Sequence, residues 1–272
     1  MQHSLNQTPP RGLRVLCGVA ALAAVISTAH AAGATAVIGV LPFTASQAID
    51  LTHAMHDDMV FWPGGVPFKK ERLVDYDTGG YQLHKFIMGE NTGTHVDAPS
   101  HFIKGNRSID QLAIDQLIVP LVVFDAKRAA AADNDYELTP ADIENWEDEN
   151  GAVPANALFV MNTGWHNRFD QPQRYINMDD AGVMHFPGFS AAAAELLVAR
   201  NVAGIGIDTL SIDHGSSTTF AAHVVMLAAN KYQVENMAAL DALPATGATA
   251  VIGVLPVRDG SQAQAQIFAL LP

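Results

Sequence analysis

Two imidazoles and a carboxylate lie close together in the segment 91–102, where His95, Asp97 and His101 occur within seven residues. In an extended segment, residues of equal parity project to the same side. Pro99 restricts the backbone between Asp97 and His101 and keeps the preceding residue extended. Imidazole and carboxylate groups bind divalent metals and also serve as general acids and bases. The segment therefore predicts a metal site or an acid–base site.

A single histidine has a less specific interpretation, because histidines are common in surface and hydrogen-bonded core positions. We therefore assign no function to His53, which ends a strand in a motif of structural appearance, or to His214. For His214, which lies in a polar loop, we expect surface or loop hydrogen bonding. Three ligand-type groups on one face of a short segment are a stronger signal than one.

The chain of 272 residues is 49% hydrophobic and 16% charged, which favours a compact globular body over disorder. This length is compatible with one large domain or two small ones. No low-complexity linker divides the sequence after residue 31. We therefore predict a single domain over residues 32–272.

The N-terminus has the pattern of a secretory signal peptide. Arg11 and Arg14 precede an apolar run over 15–26, and Ala29-His-Ala31 has the small-x-small pattern of a cleavage site. The run is shorter than the roughly 20 residues that span a bilayer, which argues against a membrane anchor. We expect cleavage near Ala31 and a periplasmic or secreted mature protein without membrane attachment.

Removal of residues 1–31 would also change the chemistry available to the protein. Cys17 is the single cysteine, so the mature chain would have no disulfide, cysteine nucleophile or thiolate metal ligand. The net charge would move from −13 to −15, because the removed segment holds two arginines and no acid. This negative charge predicts no nucleic-acid partner.

A ten-residue segment occurs twice, at Gly33–Pro42 and again at Gly247–Pro256. Each copy has a β-branched apolar centre between Gly and Pro, which predicts a buried strand. Two copies are too few for a solenoid. The sequence gives no physical reason for the duplication.

Strand and helix patterns alternate through the second half of the chain, which predicts an α/β architecture. The helices begin at the N-cap candidates Thr139 and Ser190. The predicted strands of this region are 117–125, with an interruption at Pro120, followed by 157–162 and 202–207.

Two further features lie outside these regular elements. Trp62, next to Pro-Gly-Gly, is either a packing anchor for its loop or a lid over an aromatic substrate. His223 opens an apolar helical run, and Glu235 lies in a short strand or turn over 232–236. A buried glutamate requires a partner for its charge, and a metal ion would be one.

Together these residues resemble the metal-dependent cyclase family that includes bacterial kynurenine formamidases and isatin hydrolases. The resemblance rests on the following segments: Asp50-Leu-Thr-His, Trp62-Pro-Gly, Gly93-Thr-His95-x-Asp97-x-Pro99-x-His101-Phe, Thr163-Gly-Trp, Phe186-Pro-Gly-Phe-Ser, Gly206-Ile-Asp208-Thr, His223, Glu235-Asn and Leu240-Asp-Ala-Leu-Pro. It implies an α/β single-domain, mixed-sheet fold of the kynurenine formamidase type, similar to swivelling β/β/α folds.

The resemblance also implies roles for individual residues. It makes His95 and Asp97 metal ligands, with Asp97 able to bridge two ions, and His223 and Glu235 ligands of the second ion. His101 is then the catalytic acid/base, and Trp62 an aromatic wall of the substrate pocket. Asn91 stands where the family pattern has a histidine. Because an amide oxygen binds zinc more weakly than imidazole does, we expect one or two ions of zinc or manganese.

The implied activity is hydrolysis of a C–N bond in an aryl formamide such as N-formylkynurenine, a step of tryptophan catabolism. Isatin hydrolysis, or hydrolysis of another lactam or a lactone, is the alternative within the family. A non-catalytic periplasmic metal-binding or ligand-binding protein is the alternative of another class. The resemblance further implies a small-molecule aryl amide substrate and a homo-oligomer, either a dimer or a tetramer.

Overall fold

The computed structural model describes residues 45–272, so the predicted signal peptide and the first copy of the repeat lie outside the described residues. The strands are β1 (Gln47–Asp50), β2 (Lys69–Val74), β3 (Leu83–Ile87), β4 (His95–Asp97), β5 (Ile118–Asp125), β6 (Glu137–Leu138), β7 (Leu158–Asn162), β8 (Gly188–Phe189), β9 (Gly204–Ile207), β10 (Tyr232–Glu235), β11 (Ala248–Val254) and β12 (Gln262–Leu271). The α-helices are α1 (Tyr76–Gly79), α2 (Lys127–Ala132), α3 (Pro140–Asn150), α4 (Pro172–Ile176), α5 (Ala191–Ala199) and α6 (Ala221–Ala228).

The main sheet has eight strands in the order β1-β12-β11-β5-β7-β9-β10-β4, and a further pairing of β4 with β12 closes it into a barrel-like arrangement. Strands β5, β7, β9 and β10 run parallel, whereas β4, β11 and β12 pair antiparallel with their neighbours. The helices of the connections between parallel strands pack on the sheet, as expected for such crossovers. The predicted mixed α/β fold is confirmed.

The strands bury both of their faces, in two separate cores. Along β5, Val123 belongs to the core on one face of the sheet, and Val122 belongs to the core shared with the helices. The same alternation in β7 places Val160 in the first core and Phe159 in the second. This period of two is the expected geometry of a strand covered on both faces.

Most of the predicted elements are confirmed. Thr139 and Ser190 cap α3 and α5 through their side chains, and the second copy of the repeat contains β11. The predicted interruption at Pro120 is wrong, because β5 continues through it. Pro120 pairs with Thr249 of β11, but pairing with β7 begins only at Leu121, and a residue without an N–H is tolerated at such a one-sided position.

A hairpin of β2 and β3 forms a sheet of its own, apart from the barrel. Its large apolar side chains are exposed: Leu73, Tyr76, Tyr81, Leu83, Phe86 and Ile87. In sequence, the hairpin lies between Trp62 and Asn91. Among the described residues, no helix is both long enough and apolar enough to cross a membrane.

Candidate metal centre and active site

The closure of the barrel brings three strands together at the candidate site. Strand β4 lies between β10 and β12, with Glu235 opposite His95 and Gln262 opposite Asp97. Residues directly opposite each other on neighbouring strands share one face of the sheet. The register of two ladders therefore assembles this group of side chains, although its members are far apart in the sequence.

Two buried imidazoles and two buried carboxylates form the centre of the site. His95 Nε2 lies 3.2 Å from Asp97 Oδ1 and 3.3 Å from Glu235 Oε2. His223 Nε2 lies 3.3 Å from Asp97 Oδ2 and 3.1 Å from Glu235 Oε1. Each carboxylate is therefore shared by the two histidines. We call these four residues the His–carboxylate cluster.

Both histidines of the cluster are oriented by a hydrogen bond at Nδ1. His95 donates from Nδ1 to the backbone carbonyl of Gly93, at 2.8 Å. His223 donates from Nδ1 to Asp213 Oδ2, at 2.6 Å. Because a carbonyl or carboxylate on Nδ1 fixes the tautomer, Nε2 of each ring is directed into the cluster.

Asp213 has a second structural role. Its carboxylate accepts hydrogen bonds from the backbone N–H groups of Ala222 and His223, at 2.9 and 3.1 Å, in the first turn of α6. These N–H groups have no partner within the helix, so the contact caps α6. One carboxylate thus fixes both the start of the helix and the ring orientation of its histidine.

The cluster perturbs the ionisation of its own members. Burial by itself lowers the pKa of His95, but hydrogen bonds with Asp97 and Glu235 outweigh it and raise that pKa to about 10. Burial opposes the same shift in His223, whose pKa is raised well above its usual range by Asp213, Asp97 and Glu235. The two carboxylates thus favour positive charge at the histidines, and a metal ion bound at Nε2 would compete with protons for the same atoms.

The donor set suits a divalent ion. The ligand-type atoms of His95, Asp97 and Glu235 lie within 4.8 Å of one another, and so do those of Asp97, His101 and His223. Asp97 belongs to both groups. Its Oδ2 atom is buried and makes no hydrogen bond among the residues that the structure describes, and its polar neighbour is His223 Nε2 at 3.3 Å. A buried carboxylate oxygen that makes no hydrogen bond is costly unless a cation lies against it.

A cavity of about 240 Å³ lies next to the cluster. Its lining includes His223 and Glu235 together with three residues predicted for the site, namely Trp62, Asn91 and His101. Phe102, Leu210, Ser211, Phe220 and Gln262 complete the lining. The seven site residues predicted from the sequence therefore lie in one place, with His95 and Asp97 buried in the cluster beside the cavity.

The local backbone differs from the sequence-based prediction in one respect. The segment is extended at His95–Asp97, but Pro99–His101 is a single turn of 3-10 helix. The parity argument is therefore wrong for His101. Proline at the first position of a helical turn favours this turn, and the turn leaves the imidazole of His101 only partly buried.

Comparison with known proteins identifies the family of the chain. A family model described as "Putative cyclase" matches residues 49–214, which include β4 and the turn that carries His101. The chain belongs to the cyclase family.

Cyclase-family relatives match most of the chain. An isatin hydrolase of Roseibium aggregatum is 32% identical over 211 residues, which cover 74% of this chain and 80% of the relative. A kynurenine formamidase of Bacillus mycoides is 25% identical over 193 residues, covering 71% of this chain and 82% of the relative. The solved structure of isatin hydrolase A from Ralstonia solanacearum has a TM-score of 0.79 and 32% identity, covering 83% of this chain and 92% of that one.

Some residues of the segments on which the resemblance rests lie outside the cluster. Asp208 accepts hydrogen bonds from the Thr163 backbone and hydroxyl and from the His166 backbone and ring, at 2.7 to 3.2 Å. These contacts fix the turn after β7. The ring of His53 stacks on that of Phe169, with 3.7 Å between the ring centroids. Burial lowers the pKa of His53 to about 4.

Sequence reasoning missed two residues that contact the cluster. Gln262 donates from Nε2 to Asp97 Oδ1 at 2.7 Å, and Asp213 orients His223. Gln262 follows a turn in a polar, alternating strand, and only the pairing of β12 with β4 reveals its role. Asp213 could have been noticed as an acid that precedes a helix without a capping residue of its own. The expected hydrogen bonding of His214 is confirmed by its contact with Ser216.

We predict that Asp213→Asn weakens binding of a divalent metal by about 10- to 100-fold, as loss of a partner that orients a ligand typically does. The amide would place an N–H against Nδ1 of His223 and favour the tautomer with its proton on Nε2. Asp142→Asn is the matched control, because Asp142 accepts from Thr139 at the start of α3, away from the cluster. Competition with a chelating dye measures the affinity. Equal affinities of Asp213→Asn and the wild type would contradict the prediction.

Proposed function

We propose that the protein is a metal-dependent hydrolase that cleaves the C–N bond of an aryl amide. The observation that carries the proposal is the sharing of Asp97 between two groups of ligand-type atoms next to a cavity with aromatic walls. The names of the relatives, isatin hydrolase and kynurenine formamidase, support the same reaction class.

The residues that would hold the metal are His95, Asp97, His223 and Glu235, with the amides of Asn91 and Gln262 close by. Zinc and manganese are both compatible with imidazole and carboxylate ligands, and amide oxygens favour the harder ion, manganese. A divalent ion bound there would supply Lewis acidity, which polarises a carbonyl group and lowers the pKa of water.

His101 is suited to the proton transfers. Its ring is partly exposed in the cavity and stands edge-on to the ring of His223, with 6.2 Å between their centroids. In amide hydrolysis, water adds to the carbonyl carbon and the bond from that carbon to nitrogen breaks. His101 would accept a proton from the attacking water and deliver it to the departing nitrogen.

Two substrate classes fit this chemistry. An aryl formamide would release formate and an aryl amine, whereas a cyclic aryl amide such as isatin would open without losing a fragment. The identity of 32% to an isatin hydrolase, against 25% to a kynurenine formamidase, supports the cyclic substrate as a second candidate. Hydrolysis of a different lactam or a lactone would use the same residues.

The test of the proposed function uses the mature protein purified after export. Its mass would show whether residues 1–31 are removed, as expected for a periplasmic or secreted protein. Elemental analysis would identify the metal and its stoichiometry, and parallel assays would compare N-formylkynurenine with isatin. Stoichiometric metal without turnover across a panel of amides, lactams and lactones would instead support a binding protein.

We predict that His101→Ala keeps its metal but loses about 10²- to 10⁴-fold in kcat, the usual contribution of a general acid or base. Metal content measured on the same sample separates loss of the acid/base from loss of the ion. His214→Ala is a suitable control, because His214 lies in a loop and contacts Ser216. Full activity of His101→Ala would remove His101 from the mechanism.

We predict that Asn91→His raises the affinity for zinc relative to manganese, because imidazole is the better zinc ligand. Metal titrations of the wild type and the variant would measure both affinities. Equal or weaker zinc binding by the variant would show that Asn91 does not contact the metal.

We also infer that the protein forms a homo-oligomer through the hairpin of β2 and β3. A separate two-stranded sheet with exposed apolar side chains is only marginally stable alone. The hairpin strands carry four basic residues and one acidic residue in a chain of net charge −13, so the acidic surface of a second copy outside its own hairpin offers complementary charge. Leu73 and Phe86 are each 57% exposed there.

We predict that Leu73→Asp shifts the protein toward the monomer, because it introduces a charge into the apolar face. Val257→Asp, at a residue 40% exposed and outside the hairpin, is the control. Light scattering after size exclusion measures the mass of each variant. A monomeric wild type at micromolar concentration would refute the inferred oligomer.

A further inference from the structure

Phe220 has a backbone conformation that its side chain disfavours. Its φ of 51° and ψ of 45° lie in the left-handed region, at the N-cap of α6. A bulky residue there is a genuine outlier, because its Cβ crowds the following carbonyl. Phenylalanine also cannot act as a side-chain acceptor at an N-cap, where Ser, Thr, Asn, Asp and Gly are preferred.

The other left-handed residues of the described chain show how unusual Phe220 is. Eight residues other than glycine have positive φ among residues 45–272, and six of these are Asn or Asp. Ala239 is the remaining one besides Phe220. Phe220 is therefore the single large side chain held in this conformation within the described part of the protein.

Core packing does not explain the strain, because the side chain of Phe220 is not buried. It is partly exposed and lines the cavity next to the His–carboxylate cluster. Its ring centroid lies 5.7 Å from that of Phe102, 6.3 Å from that of Trp62 and 5.8 Å from that of His223. Strained residues persist where the surrounding structure fixes them, and they cluster at functional sites.

The three aromatic rings of Trp62, Phe102 and Phe220 are all partly exposed and all face one cavity. The ring of Phe220 is tilted by 51° to Trp62 and by 52° to Phe102, so neither ring stacks on it or covers its face. Aromatic rings pair favourably with a further ring in an edge-to-face or offset arrangement. A planar aryl group would therefore gain contacts here that an alkyl group of the same size would not.

We propose that Phe220 is a specificity-determining residue that selects an aryl over an alkyl group on the substrate amide, its ring held in place by the strained left-handed backbone. The inference rests on the proposed function, because it concerns the substrate of the same site. It extends that function by assigning the selection of the aryl group to a residue other than Trp62.

The test compares Phe220→Gly with the wild type on an aryl and an alkyl formamide. If the wild type hydrolyses only cyclic amides, an aryl-fused lactam and an alkyl lactam take the place of the two formamides. We expect kcat/KM for the aryl substrate to fall by about 10- to 100-fold, mainly through KM, since an aromatic contact supplies binding to the substrate group. The alkyl substrate should change less than about threefold. The variant Phe220→Tyr retains an aromatic ring and should therefore keep the aryl selectivity of the wild type.

A stability measurement separates specificity from a structural role. Glycine adopts the left-handed region without steric cost, so the melting temperature of Phe220→Gly should stay within about 3 °C of that of the wild type. Ala239→Gly is the matched control, because it makes the same backbone change at another helical N-cap, and it should leave aryl selectivity unchanged. A large loss of stability with equal losses on both substrates would overturn the inference.

Two further outcomes separate this inference from the proposed function. A wild type that binds metal but hydrolyses no aryl amide would refute the proposed function, and the inference with it. A wild type that prefers aryl substrates, together with a Phe220→Gly variant of unchanged preference, would refute the inference alone.

Discussion

The burial of two carboxylates side by side is the constraint on which the site depends. Asp97 and Glu235 are both buried, and each lies within about 3.3 Å of two imidazoles. Charges removed from water are costly unless they are paired and hydrogen-bonded. In this cluster the compensating positive charge comes from protons on the histidines or from a cation that replaces them. The stability of the folded barrel and the affinity of the site for a metal ion therefore depend on the same four side chains.

The fold meets this constraint by placing every member of the His–carboxylate cluster on a strand or an α-helix. Two of the four groups lie on β4, one on β10 and one on α6, and the closure of the sheet fixes the distances between the strands. Asp213 then ties α6 to the cluster, because its carboxylate caps the helix and orients His223 at the same time. Side chains on strands and helices are positioned more precisely than side chains on loops.

The sequence predicted those features that depend on local chemistry. The caps at Thr139 and Ser190, the apolar strands and the His-x-Asp pair all depend on neighbouring residues, and the structure contains them. It could not predict contacts that depend on strand register. Gln262 reaches Asp97 only because β12 pairs with β4 across 165 residues. The turn at Pro99–His101 was missed for a related reason, because proline is compatible with both an extended and a helical backbone.

The site has two parts, which are built on different kinds of backbone. The cluster that would activate the carbonyl lies on regular elements, whereas the aromatic lining comes from irregular segments: the loop of Trp62, the residue after the 3-10 turn and the N-cap of α6. Loops tolerate change more readily than the elements that they connect. Reaction class and substrate preference can therefore vary separately in this fold. Phe220 belongs to both parts of the site, because its backbone begins the helix that carries His223, and its ring faces the cavity next to the cluster.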